Sequence, residues 1–380
     1  MALRPSDVFF YLDAIKKICP GLNFEKTVSR NLMEFAKHLG LLATVDKNLT
    51  VIIKKPAYEG YGISPPVILQ GQMSQPLGVA MMMAILANPS LPHPALCCLF
   101  TVKKVNRPLQ PPSGKILINL NHSKFGEALV AAPGAHRLTV NLPIIWAKPA
   151  QKQLESYLVQ GLEGNIRLMG QILRTLQRFD VSIFKIECDF LGLTLNKTVL
   201  PTVTKALKEL ERSNTQLDFQ KTGLVSRVFS YYTVTRLTEI CLNFPSDTMS
   251  PPELTETTLS LSALKTTDKS IQMVASLKST LPQPELLQKI QKLAQNQHAT
   301  LDVTDQFPAW TYNPNSPLLT LLKECYHRQT RQELKLITSQ VYEPCNFFPD
   351  LDKISIGPTK DDLTTVEPFY KLLLRVLKEL

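Results

Sequence analysis

Val67-Ile68-Leu69-Gln70-Gly71-Gln72-Met73-Ser74, followed by the apolar run from Leu77 to Ala87, decides how this chain is read. Three consecutive aliphatic residues that pass into a glycine-containing turn describe a buried strand entering a loop. The longer apolar run behind it describes a helix. Upstream, Val8, Phe9, Leu12, Ile15 and Ile18 fall at helical spacing after Ser6, a residue suited to capping. A second helix spans about Glu25 to Leu39, with Val28, Leu32, Phe35 and Leu39 on one face and Gly40 to end it. Two strands come next, near Leu42–Val45 and Leu49–Lys54. Downstream of the quoted stretch are strands at Ala95–Val102 and Ile116–Leu120. Helices alternating with short, continuously apolar strands imply a largely parallel sheet covered on both faces.

The pattern changes after about Trp146. Gln151–Phe179 begins strand-like and becomes helical, and Leu259, Leu261 and Ala263 alternate with serines as in a half-exposed strand. Ile271–Ala275 is expected to pair beside it, Pro284–Asn296 is a helix with proline in its first turn, and Leu301–Val303 is a further strand. The first style then returns. A helix over Pro317–Gln329 is capped by Asn315, strands follow at Leu334–Ile337 and Lys353–Ile356, and an amphipathic helix over Val366–Leu380 closes the chain. The expected architecture is one α/β domain, residues 1–148 plus 304–380, interrupted by an α+β insertion at 149–303.

At 380 residues and 44% hydrophobic content the chain is large enough for two cores. Its net charge of +10 permits attraction to nucleic acid, anionic lipid or an acidic protein, yet the lysines come as pairs (Lys16-Lys17, Lys54-Lys55, Lys103-Lys104) rather than runs. Cys19, Cys97, Cys98, Cys188, Cys241, Cys325 and Cys345 make an odd count without metal-knuckle spacing. That fits a reducing cytosol, and no run is long and apolar enough for a leader or a membrane span, so a cytoplasmic protein is expected.

Several segments in order resemble the aminoacyl-histidine dipeptidases, two-zinc exopeptidases of the carnosinase-like kind. Val51-Ile52-Ile53-Lys54-Lys55-Pro56-Ala57 with Gly60, the helix from Leu77 to Ala87, and Ile116-Leu117-Ile118-Asn119 with Gly126-Glu127 match in order. Gly161-Leu162-Glu163-Gly164, Glu256-Thr257-Thr258-Leu259, Pro308-Ala309-Trp310 with Asn315-Ser316-Pro317, and Ser355-Ile356-Gly357-Pro358-Thr359 continue the series. The resemblance implies a zinc-exopeptidase α/β domain carrying a ferredoxin-like lid, and a homodimer formed through that lid.

It also implies two zincs bridged by an aspartate and a water, with a glutamate as general base. Carried over residue by residue, the ligands are missing. The His-x-Asp that would end the first strand is Gln72 and Ser74, and neither an amide nor a hydroxyl is a competent zinc ligand. The bridging aspartate falls in a deletion between Gln75 and Leu77. The paired glutamates become Lys104 and Val105, the next carboxylate becomes Asn121, and the last histidine belongs to a loop missing between Thr359 and Val366. The shortened lid loop offers Asn165 after Gly164, and a lysine at 104 repels zinc. Neither a metal nor another cofactor is expected.

The reading is therefore of a pseudoenzyme that binds or assembles. Its residual cleft is expected to be lined by Gln70, Gln72, Ser74, Lys104 and Asn121, with a peptide or an unknown protein as partner. Two alternatives stay open: a basic adaptor for nucleic acid or an acidic protein, and a metal-independent enzyme. Blander readings are expected for the rest. His93, His122 and His136 are ordinary histidines, Cys97-Cys98 and Met81-Met82-Met83 are core, Asp350, Asp352, Asp361 and Asp362 are turn aspartates, and the last helix covers the sheet.

Overall fold

The structure, a computed structural model, describes residues 5–18, 24–102, 114–149, 154–162, 164–211, 216–245, 257–359 and 363–380. It divides into two compact units, residues 1–133 with 308–380 and residues 134–307. The first begins with α1 (Pro5–Lys16), α2 (Phe24–His38), β1 (Leu42–Val45), β2 (Val51–Lys55), β3 (Val67–Gln72), α3 (Pro76–Ala87), β4 (Leu96–Thr101), β5 (Ile116–Asn119) and β6 (Glu127–Ala131). The inserted unit supplies β7 (Gly134–Pro143), β8 (Trp146–Ala147), β9 (Leu154–Gln160), α4 (Ile166–Leu176), β10 (Val181–Ile186), β11 (Phe190–Asn196) and α5 (Leu200–Lys208). It continues with β12 (Asp218–Thr222), β13 (Val228–Phe229), α6 (Tyr231–Asn243), β14 (Thr257–Thr266), β15 (Ser270–Ser279), α7 (Pro284–Asn296) and β16 (Thr300–Phe307). The chain returns through α8 (Pro317–Thr330), β17 (Lys335–Thr338), β18 (Asp352–Ser355) and α9 (Leu363–Glu379).

One eight-stranded sheet, ordered β1-β2-β4-β3-β5-β18-β6-β17, organises the first unit. Its centre, β4-β3-β5-β18, is parallel, as is β6 with β17, whereas β1-β2, β2-β4 and β18-β6 are antiparallel. Every residue of β4 is buried, so that strand is covered on both faces, as its unbroken apolar sequence requires. α3 is buried from Gly78 to Leu86 and has no polar face at all. Met81, Met82 and Met83 therefore belong to the core, and burying a side chain of that size stabilises by about 2 kcal/mol. α9 lays Val366, Phe369, Leu372, Leu373, Val376 and Leu377 into the same core and so covers the sheet.

The N-cap of α8 is Ser316, one residue beyond the expected Asn315: its hydroxyl accepts from Leu319 N at 2.9 Å. Asn346 lies where the chain leaves and re-enters this unit. Fully buried, it donates through Nδ2 to the carbonyls of Pro133 and Pro308 at 3.0 and 2.9 Å.

The inserted unit holds two antiparallel four-stranded sheets, β10-β11-β9-β12 and β14-β15-β7-β16, and the short pair β13-β8. The strand, strand, helix, strand run read from sequence is β14, β15, α7 and β16. Between β15 and β16 lies β7, whose alternating Leu138, Val140 and Leu142 enter this unit's core. That pairing moves the division to Gly134 and Phe307 from the 149 and 303 expected.

Candidate functional site

Ligands of open α/β sheets bind beyond the carboxyl ends of parallel strands. Here those ends belong to β3, β5 and β18, and near them stand three polar residues: Gln70, two residues before the end of β3, and Asn119 and Ser355, the last residues of β5 and β18. The register puts Gln70 opposite Asn119 and Asn119 opposite Ser355, so the three form a row across neighbouring strands. Gln70 and Asn119 are both fully buried.

Two backbone donors fix how the amides of this row are turned. Asn121 N donates to Asn119 Oδ1 at 2.9 Å, which identifies that atom as oxygen, and Ser355 Oγ donates to the same oxygen at 2.8 Å. Asn119 Nδ2 must then be the donor to Gln70 Oε1, at 3.1 Å. Likewise Gln72 N donates to Asn121 Oδ1 at 2.8 Å. Gln70 Nε2 and Asn121 Nδ2 are left as buried NH2 groups without a partner. A cation placed here would meet donor hydrogens, not lone pairs.

The two strand exits close tightly around this network. A Cβ on Gly357 would stand 1.6 Å from the carbonyl oxygen of His122, and one on Gly78 of α3 would stand 2.9 Å from that of Leu120. Only glycine allows β18 and α3 to approach the loop after β5 so closely. Phe125 N adds a bond to Thr359 Oγ1 at 3.0 Å. Met73, between Gln72 and Ser74, is buried in the core.

The expected residues thus separate. Gln72 and Asn121 are joined by a hydrogen bond, and Gln70 is linked to both through Asn119. Gln70, expected in the lining of a residual cleft, is fully buried and supports the edge from beneath. Ser74 is half-buried in the loop ahead of α3. Lys104 and Val105 lie outside the described residues. Asn165 caps α4, accepting from Leu168 N at 2.9 Å.

The histidines do not converge. His122 follows Asn121 and is half-buried, with Nε2 3.7 Å from Glu127 Oε2. Burial holds its pKa below the usual value, and Glu127 opposes that only in part. Glu127 is itself paired with Lys124 at 2.7 Å and Lys335 at 3.3 Å. His136 belongs to β7 of the inserted unit. His93 lies before β4, with Nδ1 2.6 Å from Pro94 O, and burial chiefly keeps it neutral, helped by Lys55. Asp352 accepts from Ser316 Oγ at 2.5 Å and Leu318 N at 3.0 Å, so it caps α8; Asp361 and Asp362 lie outside the described residues. Among the described residues no three of His, Cys, Asp or Glu are grouped to hold a metal ion.

Among the described residues no nucleophile stands out either. Burial pushes the Cys97 thiol up to about 11 and Cys98 higher still, the reverse of what an attacking thiolate needs. The described residues of this edge do not fit a two-zinc centre. Asn119 and Ser355 carry the network, yet no role was assigned to them from sequence. For Asn119 the signal was there: it ends the otherwise apolar strand β5.

No family model matches the chain. It is 22% identical to the cytosol non-specific dipeptidase of Escherichia coli, over 97% of each chain. Among solved structures, the aminoacylhistidine dipeptidase of Vibrio alginolyticus superposes with a TM-score of 0.83 at 16% identity, over 100% of this chain and 97% of that one. The aminopeptidase PepT of Bacillus cereus superposes with a TM-score of 0.61 at 12% identity, over 99% of each. The chain shares the α/β fold of these peptidases from end to end, and the resemblance read from its sequence is borne out.

Proposed function

We propose that this homologue of the dipeptidases is catalytically silent and acts by binding, on a scaffold whose metal edge has been rebuilt from neutral side chains. The observation that carries the reading is the hydrogen bond from Gln72 N to Asn121 Oδ1, tied through Asn119 to Gln70 and Ser355: at 72 and 121, where the resemblance implies an imidazole and a carboxylate, the side chains are amides. Hydrolysis by a metal-bound water needs ligands that hold the ion and a base to take the proton. The described part of this edge supplies neither.

Elemental analysis of the purified chain, with an Xaa-His dipeptide hydrolysis assay in added zinc or manganese, tests the proposal. Zinc well below one equivalent and no turnover above buffer are expected. Stoichiometric zinc, or turnover abolished by a chelator, refutes it. The reading extends to Gln72, Ser74 and Asn121 as a residual polar rim for a peptide, and calorimetry without heat at millimolar dipeptide would remove that extension. A homodimer through residues 134–307 is also part of it. Support comes from the outer strand β12, whose side chains are largely exposed, and a monomer mass in light scattering would remove that part.

A further inference from the structure

One margin of the large sheet is β1, Leu42-Ala43-Thr44-Val45, which pairs with β2 and, among the described residues, with nothing beyond it. Leu42 is 77% exposed and Val45 47% exposed. Asp46 N donates to Thr50 O at 3.0 Å, which fixes the phase of the antiparallel ladder: Thr44 and Leu42 exchange bonds with β2, while the backbone groups of Ala43 and Val45 point outward. Open edges are ordinarily blunted by a lysine, a proline or a bulge within the strand, and β1 has none of these.

Beside it opens an apolar hollow of about 320 Å³, lined by Leu41, Leu42, Pro56, Pro66, Leu96 and Cys97. Its charged lining is Lys54 and Lys55, with no carboxylate. The Lys55 amine is engaged with the carbonyls of Ile85 and Asn88 at the end of α3, which leaves Lys54, opposite Leu42 in the ladder, as the outward cation. Lys37, His38 and Lys47 are exposed around the hairpin. Its one acid, Asp46, accepts from the amides of Asn48 and Thr50 within the turn.

We propose that β1 is a docking edge for an extended, acidic segment of a partner protein. The segment adds to the sheet as a further strand through Ala43 and Val45, lays apolar side chains on Leu42 and the hollow, and sets carboxylates against Lys54 and its basic neighbours. Charge decides the occupant: a second copy would bring the same lysines to the same margin, whereas an acidic strand is complementary.

Anisotropy of a labelled, end-blocked peptide of alternating valine and glutamate, titrated with the full chain at low salt, tests this. A valine–lysine peptide of equal length is the control. The acidic peptide is expected to bind at least about tenfold more tightly, and Lys54→Glu to weaken it by roughly fivefold. Val45→Pro removes only an outward N–H, so it spares the ladder to β2 and is expected to abolish binding while leaving thermal unfolding nearly unchanged. Equal affinity for the two peptides, indifference to Val45→Pro, or no binding at millimolar chain would overturn the proposal. Self-association that competes with the probe would assign the edge to a second copy and overturn it as well.

Discussion

Asn119→Ala is the perturbation that reaches furthest into the network. The fully buried side chain donates to Gln70 Oε1 and accepts from Asn121 N and Ser355 Oγ. Truncation strands three buried polar atoms at once. Each orphaned group costs about 1–3 kcal/mol, so with some relaxation the expected loss is about 3–6 kcal/mol. The chain has two tryptophans, Trp146 in the inserted unit and Trp310 in the unit that holds the network. In a Trp146→Phe background, urea unfolding followed by Trp310 emission reports that unit, and the midpoint should fall with little change in slope. Ser355→Ala removes only a hydroxyl from an oxygen that keeps Asn121 N, so it should cost about 0.5–1.5 kcal/mol. Made in the Asn119→Ala background it should cost less, because its partner is already gone. A loss below about 1 kcal/mol for Asn119→Ala would refute the network as a structural replacement for ions.

Other outcomes follow from single residues. Gly357→Ala drives a methyl into the His122 carbonyl and should destabilise by about 3 kcal/mol or prevent folding, measured as the yield and melting temperature of the variant. Lys55→Met leaves the Ile85 and Asn88 carbonyls without their cation and should cost about 1–2 kcal/mol near neutral pH. Burial lowers the Lys55 pKa to about 8 from 10.5, so the unfolded chain binds more protons between those values. The stability of wild type relative to Lys55→Met should therefore rise with pH between about 8 and 10.5, and a flat difference curve would contradict it. The Glu127 carboxylate is held below its usual range, first by its hydrogen bond from Lys124 and also by Lys335. Its contribution should be intact above the ordinary carboxylate pKa and disappear as pH falls through the lowered one, and Glu127→Gln should remove that acid dependence.

The parts of the fold legible in the sequence were those where a single period dominates. The α7 bounds, Pro284–Asn296, match the pattern, and α3 falls within one residue of it. Tertiary pairing decided the rest. β7 has a plain alternation at Leu138, Val140 and Leu142 but sits in sequence beside the strands of the other unit, and only its partners β15 and β16 place it. α6, Tyr231-Tyr232-Thr233-Val234-Thr235, opens with aromatic and β-branched residues that favour strands. It is helical because Ser230 caps it, accepting from Thr233 N at 3.2 Å, and because Val234, Leu237, Ile240 and Cys241 share one buried face. At the site, the poor ligand character of Gln72, Ser74 and Asn121 was legible in the sequence. The hydrogen-bonded row that joins two of them to Asn119 and Ser355 depended on cross-strand register, which no local window contains.

The way those amides are turned has an evolutionary side. Because two main-chain hydrogens dictate which end of each amide faces which neighbour, a single reversion at this edge finds no waiting companions. A carboxylate at 121 would still accept from Gln72 N but, among the described residues, would meet no group of anions or imidazoles to share an ion. An acid at 119 would take the donor away from Gln70 in the dry interior. An acid at 119 therefore costs stability, whereas one at 121 keeps its main-chain donor and gives up only an amide NH2 that has no partner.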